Sequence, residues 1–204
     1  MNKFKTEQEN FWAGEFGDDY ISRNTDEDFR KSNLNFFNEI FRKAGKIESV
    51  IEFGANSGLN LLAIKEIIPT VNLSAIEIND KAVLELEKIS DLKVYHSSIL
   101  DFKPDSKRNL ALIKGVMIHL NPDVLPDVYD LLYASSDKYI CIAEYYNPTP
   151  VTVPYRGHSD RLFKRDFAGE MMDRFKDLKL VDYGFKYHRD NKYFDDMNWF
   201  LLEK

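Results

Sequence analysis

Apolar and polar residues alternate along this chain with two different periods. Short apolar runs recur over 47–53, 73–78, 92–96, 110–116 and 139–144, and between them lie stretches whose apolar residues repeat every three to four positions. The runs predict strands and the stretches predict amphipathic helices. One helix is expected over 58–68, stopped at Pro69. A second is expected over 80–89, where Asp80 caps and Val83, Leu86 and Ile89 form the buried stripe. Strand and helix in regular alternation need crossover connections, which points to a parallel sheet.

Outside this alternation the pattern changes. Residues 6–20 are rich in aromatics and broken by Gly14 and Gly17, which predicts a helix followed by a loop. Such an extension suits a cover over a cleft, with Trp12, Phe16, Tyr20 and Arg23 placed to line it. Thr25 with Asp26, Glu27 and Asp28 then reads as the capped start of a helix running toward Gly45, its apolar face built from Phe29, Phe36, Phe37, Ile40 and Phe41. Beyond residue 144 the prolines at 148, 150 and 154 predict a stiff irregular loop. A long loop on a rigid sheet often carries binding residues, so Tyr145, Tyr155, Arg156 and His158, with Arg165 just beyond, are expected to contact substrate. A helix over 164–175, capped near Asp166, and strands over 178–187 and 197–202 complete the chain. The expected organisation is one domain over 1–204, with a helical N-terminal cover over 1–45 and a core over 46–204.

Length and charge narrow the function. A chain of 204 residues can bury a sizeable core. A net charge of -6 and a pI near 5.3 disfavour a nucleic acid polymer, whose phosphates call for a basic stripe. Arg156, Arg161, Lys164 and Arg165 crowd one segment, enough for a small phosphorylated or carboxylated molecule. No apolar run approaches a membrane span and no apolar stretch follows the basic N-terminus, so no membrane is expected as a partner and a cytoplasmic location is. The single cysteine, Cys141, lies in an apolar strand, which predicts a buried thiol and excludes an intramolecular disulfide. No structural zinc site is expected and no metal is called for.

The chemistry is concentrated at the strand ends. Residues 50–60 read as strand, tight turn and helix, with Gly54 and Gly58 four apart and Glu52 two residues before the first glycine. A phosphate cradle at a helix N-terminus tolerates no neighbouring carboxylate, so Glu52 argues for a cationic or zwitterionic ligand. Gly54-Ala55-Asn56 also lacks the second glycine of the dinucleotide fingerprint. Nineteen residues beyond Gly58, Glu77 ends the next strand beside Ile78, where a carboxylate can accept from both hydroxyls of a ribose. The spacing Glu52-x-Gly54-x-x-x-Gly58 resembles motif I of the class I S-adenosylmethionine (SAM) methyltransferases. That resemblance implies SAM as cofactor, its amino-acid end over Gly54, Ala55, Asn56 and Gly58, its ribose at Glu77 and Ile78, and its adenine near Ser98 and Ile99. Lys114, Gly115, Trp12 and Arg23 are the remaining candidates for cofactor contact.

Over its whole length the chain resembles the pseudaminic-acid-biosynthesis-associated methylases, most specifically at 14–20, 114–122, 144–148 and 155–158. The resemblance implies a Rossmann-like three-layer α/β sandwich, with a mostly parallel seven-stranded sheet and an antiparallel last strand. It also implies methyl transfer to an O or N atom of a small acceptor, a sugar or nucleotide-linked sugar of bacterial nonulosonic acid or surface-glycan synthesis. His119 near the rim of the fourth strand, Glu144 at the end of the fifth and Tyr146 beyond it are the candidate bases. Tyr20 joins the expected substrate contacts. The alternatives are a SAM-binding module without catalysis, a methyltransferase acting on another small metabolite, and a nicotinamide oxidoreductase.

Overall fold

A computed structural model describes residues 4–21, 27–191 and 193–204. Each predicted strand forms, and two unpredicted short ones join them: β1 (Ser49–Phe53), β2 (Asn72–Glu77), β3 (Leu92–His96), β4 (Arg108–Lys114), β5 (Ser136–Glu144), the unpredicted β6 (Val151–Thr152) and β7 (Phe163–Lys164), β8 (Lys179–Lys186) and β9 (Met197–Glu203). Seven of them make one sheet in the order β3-β2-β1-β4-β5-β9-β8. β1 to β5 run parallel, and β9 inserts antiparallel to both β5 and β8, as the sequence led one to expect.

Period-two alternation divides the strands between two cores. Val50, Leu110, Leu112, Tyr139 and Cys141 face one side, while Ile51, Ala111, Ile113, Ile140 and Ile142 face the other. The helices are α1 (Glu7–Ala13), α2 (Glu15–Tyr20), α3 (Glu27–Phe41), α4 (Leu59–Ile67), α5 (Asp80–Leu86), α6 (Leu125–Ser135) and α7 (Phe167–Arg174). Phe36, Phe37 and Ile40 of α3, Leu61 and Ile64 of α4 and Leu86 of α5 close the first core, and Val128 and Leu132 of α6 with Phe167 and Met171 of α7 close the second. The result is a three-layer sandwich.

Four expectations need correction. The cap of α5 is Asn79, whose Oδ1 accepts from Ala82 N at 3.0 Å, and Asp80 is the first residue inside the helix. The segment after α1 is a second helix, α2, not a loop, and α3 packs into the sandwich, which confines the cover to the two short helices. The proline-rich loop contains structure: β6 pairs with β7, and Tyr155 bridges to His158. Thr25 and Asp26, the expected cap of α3, lie outside the described residues, as does Arg23.

The cover rests on the C-terminal edge of the sheet. Thr6 and Glu9 form a capping box that starts α1. Gly17 of α2 sits so close to α1 that an added Cβ would lie 1.9 Å from the Trp12 carbonyl oxygen. Asn79 Nδ2 donates to Asp18 at 2.8 Å, Lys81 pairs with Asp18 at 2.7 Å, and Lys5 pairs with Asp101 at 2.7 Å. Beneath the cover, between β1 and β4, the strand order reverses, the place where open α/β sheets leave a crevice.

Candidate active site

A cavity of about 470 Å³ fills that crevice. Its floor is the turn after β1. Gly54 adopts a φ of 74°, donates its amide to Ile76 O at 2.9 Å, and passes so near Val116 that a Cβ would lie 2.8 Å from Val116 Cγ2. Asn56 also takes a positive φ, 48°, which asparagine tolerates better than most residues. Its amide then reaches Glu77 Oε2 at 2.7 Å. Glu77 Oε1 accepts from the amides of Ile78 at 2.8 Å and Asn79 at 2.9 Å. The carboxylate thus ties the end of β2 to the turn of β1. Burial raises its pKa, and the three amides oppose that shift. Three of its roughly four acceptor sites are taken. Chelation of two ribose hydroxyls by both oxygens therefore needs one amide to be released.

Below the floor lies a layer of buried ionisable groups. Glu52 is fully buried, with Oε1 accepting from Asn60 Nδ2 at 2.6 Å and Oε2 left without a partner. Burial pushes its pKa up to about 8, opposed by Asn60 and by the charge of Lys114. Lys114 lines the cavity beside the rings of Phe194 and Phe36, 5.4 and 5.7 Å away. Burial lowers its pKa, and Glu52 and Glu144 oppose that shift. Next to it, Gly115 has a φ of 67° and a Cβ there would meet nothing within 4 Å, so the backbone presents a bare wall to the cavity.

The roof is aromatic. His119 is buried and packs between Trp12 and Tyr155, with ring centroids 4.8 and 4.9 Å away. Its Nδ1 lies 2.6 Å from Arg161 O; a carbonyl only accepts, so Nδ1 carries the proton and Nε2 keeps its lone pair. Burial drives the His119 pKa down to about 4, leaving the ring neutral at pH 7. Tyr20, Tyr145 and Arg156 complete this part of the lining, and Tyr145 donates to Asp195 at 3.2 Å. Burial, then the Asp195 carboxylate, raises the pKa of the Tyr145 phenol.

The cavity gathers most of the residues singled out from sequence: Trp12, Tyr20, Gly54, Ala55, Asn56, Glu77, Ile78, Ser98, Ile99, Lys114, Gly115, His119, Tyr145, Tyr155 and Arg156. Others lie off its surface. Glu52 lies behind the lining, bonded to Asn60 and in the field of Lys114, both of which are part of it. Gly58, at a φ of 82° in the turn into α4, packs under Ile89 and Leu86. Glu144 is buried and accepts from the amides of Val116 and Met117 at 3.0 and 2.9 Å, so it holds the loop after β4 in place. Tyr146 is 39% exposed and lies near Phe200, outside the lining. His158 packs edge-on against Phe11. Arg165 pairs with Glu170 at 2.6 Å, and Glu170 also accepts from Tyr129. Reasoning from sequence missed Glu9, Asn60, Asn79, Tyr193 and Asp195, which line the cavity. For Glu9 the signal was the Thr6-x-x-Glu9 capping box; Asp195 carries no local signal.

Among solved structures, the chain shares its fold with SAM-dependent methyltransferases. One is the 1,6-didemethyltoxoflavin-N1-methyltransferase of Burkholderia thailandensis, with bound 1,6-didemethyltoxoflavin and S-adenosylhomocysteine: TM-score 0.69, 12% identity, 92% of this chain and 82% of that one covered. Another is the plantazolicin methyltransferase BpumL in complex with S-adenosylhomocysteine, at TM-score 0.67 and 14% identity, covering 97% and 93%. The magnesium protoporphyrin IX methyltransferase of Synechocystis PCC 6803, with bound S-adenosylhomocysteine, gives 0.68 and 10% over 96% and 97%. At such identities the likeness establishes the fold alone. No family model matches the sequence, and no curated protein does.

Proposed function

We propose that this protein transfers the methyl group of SAM to an oxygen or nitrogen atom of a small anionic acceptor. The acceptor class is a sugar or nucleotide-linked sugar of the kind used in bacterial nonulosonic acid or surface-glycan synthesis. One observation carries the proposal: the Glu77 carboxylate stands at the tip of β2, bonded to the Gly54–Asn56 turn, inside the crevice of a fold whose solved examples hold this cofactor's product.

The residues present suit the cofactor. The bare backbone at Gly115 leaves room for close approach. Asn60, held by Glu52, and the cation of Lys114 complement the ammonium and the carboxylate of an amino-acid group. Glu77 and Ile78 take the ribose, and the segment 97–100 takes the base. The bound cofactor supplies an electrophilic methyl on a sulfonium. The chain supplies placement and a dry site, which suit a displacement whose charge is dispersed. Among the three candidate bases only His119 lines the cavity, with Nε2 free to accept a proton from an acceptor hydroxyl or ammonium. Arg156 can hold the acceptor's carboxylate or phosphate in a fork, while Arg165 is engaged by Glu170. Tyr145, Tyr155 and Tyr20 offer faces for a sugar ring.

The deciding experiment incubates the protein with methyl-labelled SAM and a panel of nucleotide-linked amino sugars and nonulosonates. A gain of one methyl in an acceptor, with release of S-adenosylhomocysteine, is expected. Cofactor binding without transfer to any acceptor would leave a binding module in place of an enzyme, and no cofactor binding would remove the proposal altogether.

A further inference from the structure

Glu9 is a carboxylate on the cover helix α1, 5% exposed, that lines the cavity beside Ser97, Ser98 and Ile99. Its position follows from local chemistry. The capping box makes Glu9 the third residue of α1 and turns its side chain back toward Thr6. Oε2 is saturated there, accepting from Thr6 N at 2.8 Å and Thr6 Oγ at 3.0 Å. Oε1 receives one hydrogen bond, from Ser98 Oγ across 89 residues of sequence, and keeps one acceptor site. Ser98 is more fully engaged. Its hydroxyl proton goes to Glu9 and its oxygen accepts from Leu100 N at 3.0 Å, which leaves it one neutral lone pair. The charged acceptor in this corner is Glu9 Oε1, and a carboxylate can only accept.

We propose that Glu9 Oε1 accepts a hydrogen bond from the 6-amino group of the cofactor's adenine, so that the cover helix, through Ser98, reads the base. This rests on the placement of the nucleoside described under the proposed function. It extends that placement by making base recognition and docking of the cover one event, because the same carboxylate oxygen serves both.

The test compares, by calorimetry, S-adenosylhomocysteine with the same molecule carrying hydrogen in place of the 6-amino group. A charge-assisted hydrogen bond predicts that the wild-type protein prefers the amino form by about 30-fold. In Glu9→Ala the preference should fall to within about threefold, while the helix content and melting behaviour of the core persist. Glu9→Gln keeps its oxygen on Thr6 and turns its NH2 toward the base, where it cannot accept, so the preference should again fall to within about threefold while the cap stays intact, which separates base reading from loss of the cap. An undiminished preference in Glu9→Ala or Glu9→Gln overturns the assignment, and a preference lost only in Ser98→Ala transfers it to Ser98. Equal binding of both compounds by the wild type sinks the Glu9 proposal alone. Failure of the wild type to bind S-adenosylhomocysteine sinks the cofactor placement with it.

Discussion

Replacing Glu77 by glutamine tests the joint between two strand ends. The carboxylate accepts the amides of Ile78 and Asn79 on one oxygen, at 2.8 and 2.9 Å, and that of Asn56 on the other, at 2.7 Å. Glutamine keeps one oxygen for the first two and turns its NH2 toward the third, donor against donor. The charge-assisted bond lost is worth about 1.5–3 kcal/mol. Removing the charge also relieves a burial cost, the one that raises the Glu77 pKa. The bonds should outweigh that relief, because three backbone donors fixed in an enclosed site cannot turn to other partners. A net loss of about 1–2 kcal/mol in urea unfolding at pH 7 is expected for Glu77→Gln. For Glu77→Ala, which leaves all three amides empty, about 3–5 kcal/mol is expected. Calorimetry should show S-adenosylhomocysteine binding at least about tenfold weaker in the glutamine variant. If Glu77→Gln proved as stable as the wild type, relief of charge burial would outweigh the bonds, and the carboxylate would not be what holds the turn.

Four further substitutions probe other parts of the site. His119 has a folded pKa of about 4 against an ordinary 6.5, so between those values the unfolded chain binds more protons and stability falls as the pH drops. His119→Gln should flatten that limb of the melting-temperature profile, removing up to about 3 kcal/mol of pH dependence, and a slope identical to wild type would contradict it. Lys114→Met leaves Glu52 and Glu144 without their cation and should cost about 2–4 kcal/mol in denaturant unfolding. Adding Glu52→Gln should restore part of that loss, whereas strictly additive losses would show the two side chains to be uncoupled. Gly17→Ala drives a methyl to 1.9 Å from the Trp12 carbonyl, so the cover should fail to dock. Affinity for S-adenosylhomocysteine should then fall while the circular dichroism of the core holds, and undisturbed affinity would be the contrary result.

The sheet was legible in the sequence because period-two alternation and crossover length agree, with Val50 and Ile51 facing opposite cores, whereas the cap of α5 was placed one residue late, on Asp80 instead of Asn79. The strands β6 and β7 were not, since two residues each carry no periodicity. At the site, sequence identified the acids Glu52 and Glu77 but not their surroundings. That Glu52 lies behind the lining depends on its bond to Asn60, the second residue of α4. Glu144 reads as a base at a strand end until the loop of Val116 and Met117 is seen to fold its amides onto it. Arg165 reads as an anion fork until Glu170 of α7, itself held by Tyr129 of α6, is seen to pair with it. Glu9 meets Ser98, and Asp195 meets Tyr145, only through the tertiary fold.

The fastenings of the cover have a consequence for turnover. Lys5 with Asp101 and Lys81 with Asp18 are ion pairs whose lysines are more than half exposed, in contrast to the dry cores beneath. Contacts of that kind are individually weak and are screened by dissolved electrolyte. Under the proposed function, loosening these pairs would leave Glu9–Ser98 and Trp12–His119 as the contacts to break before a spent nucleoside leaves, without disturbing the sheet. Higher ionic strength should hasten that departure at the expense of how long the nucleoside is retained.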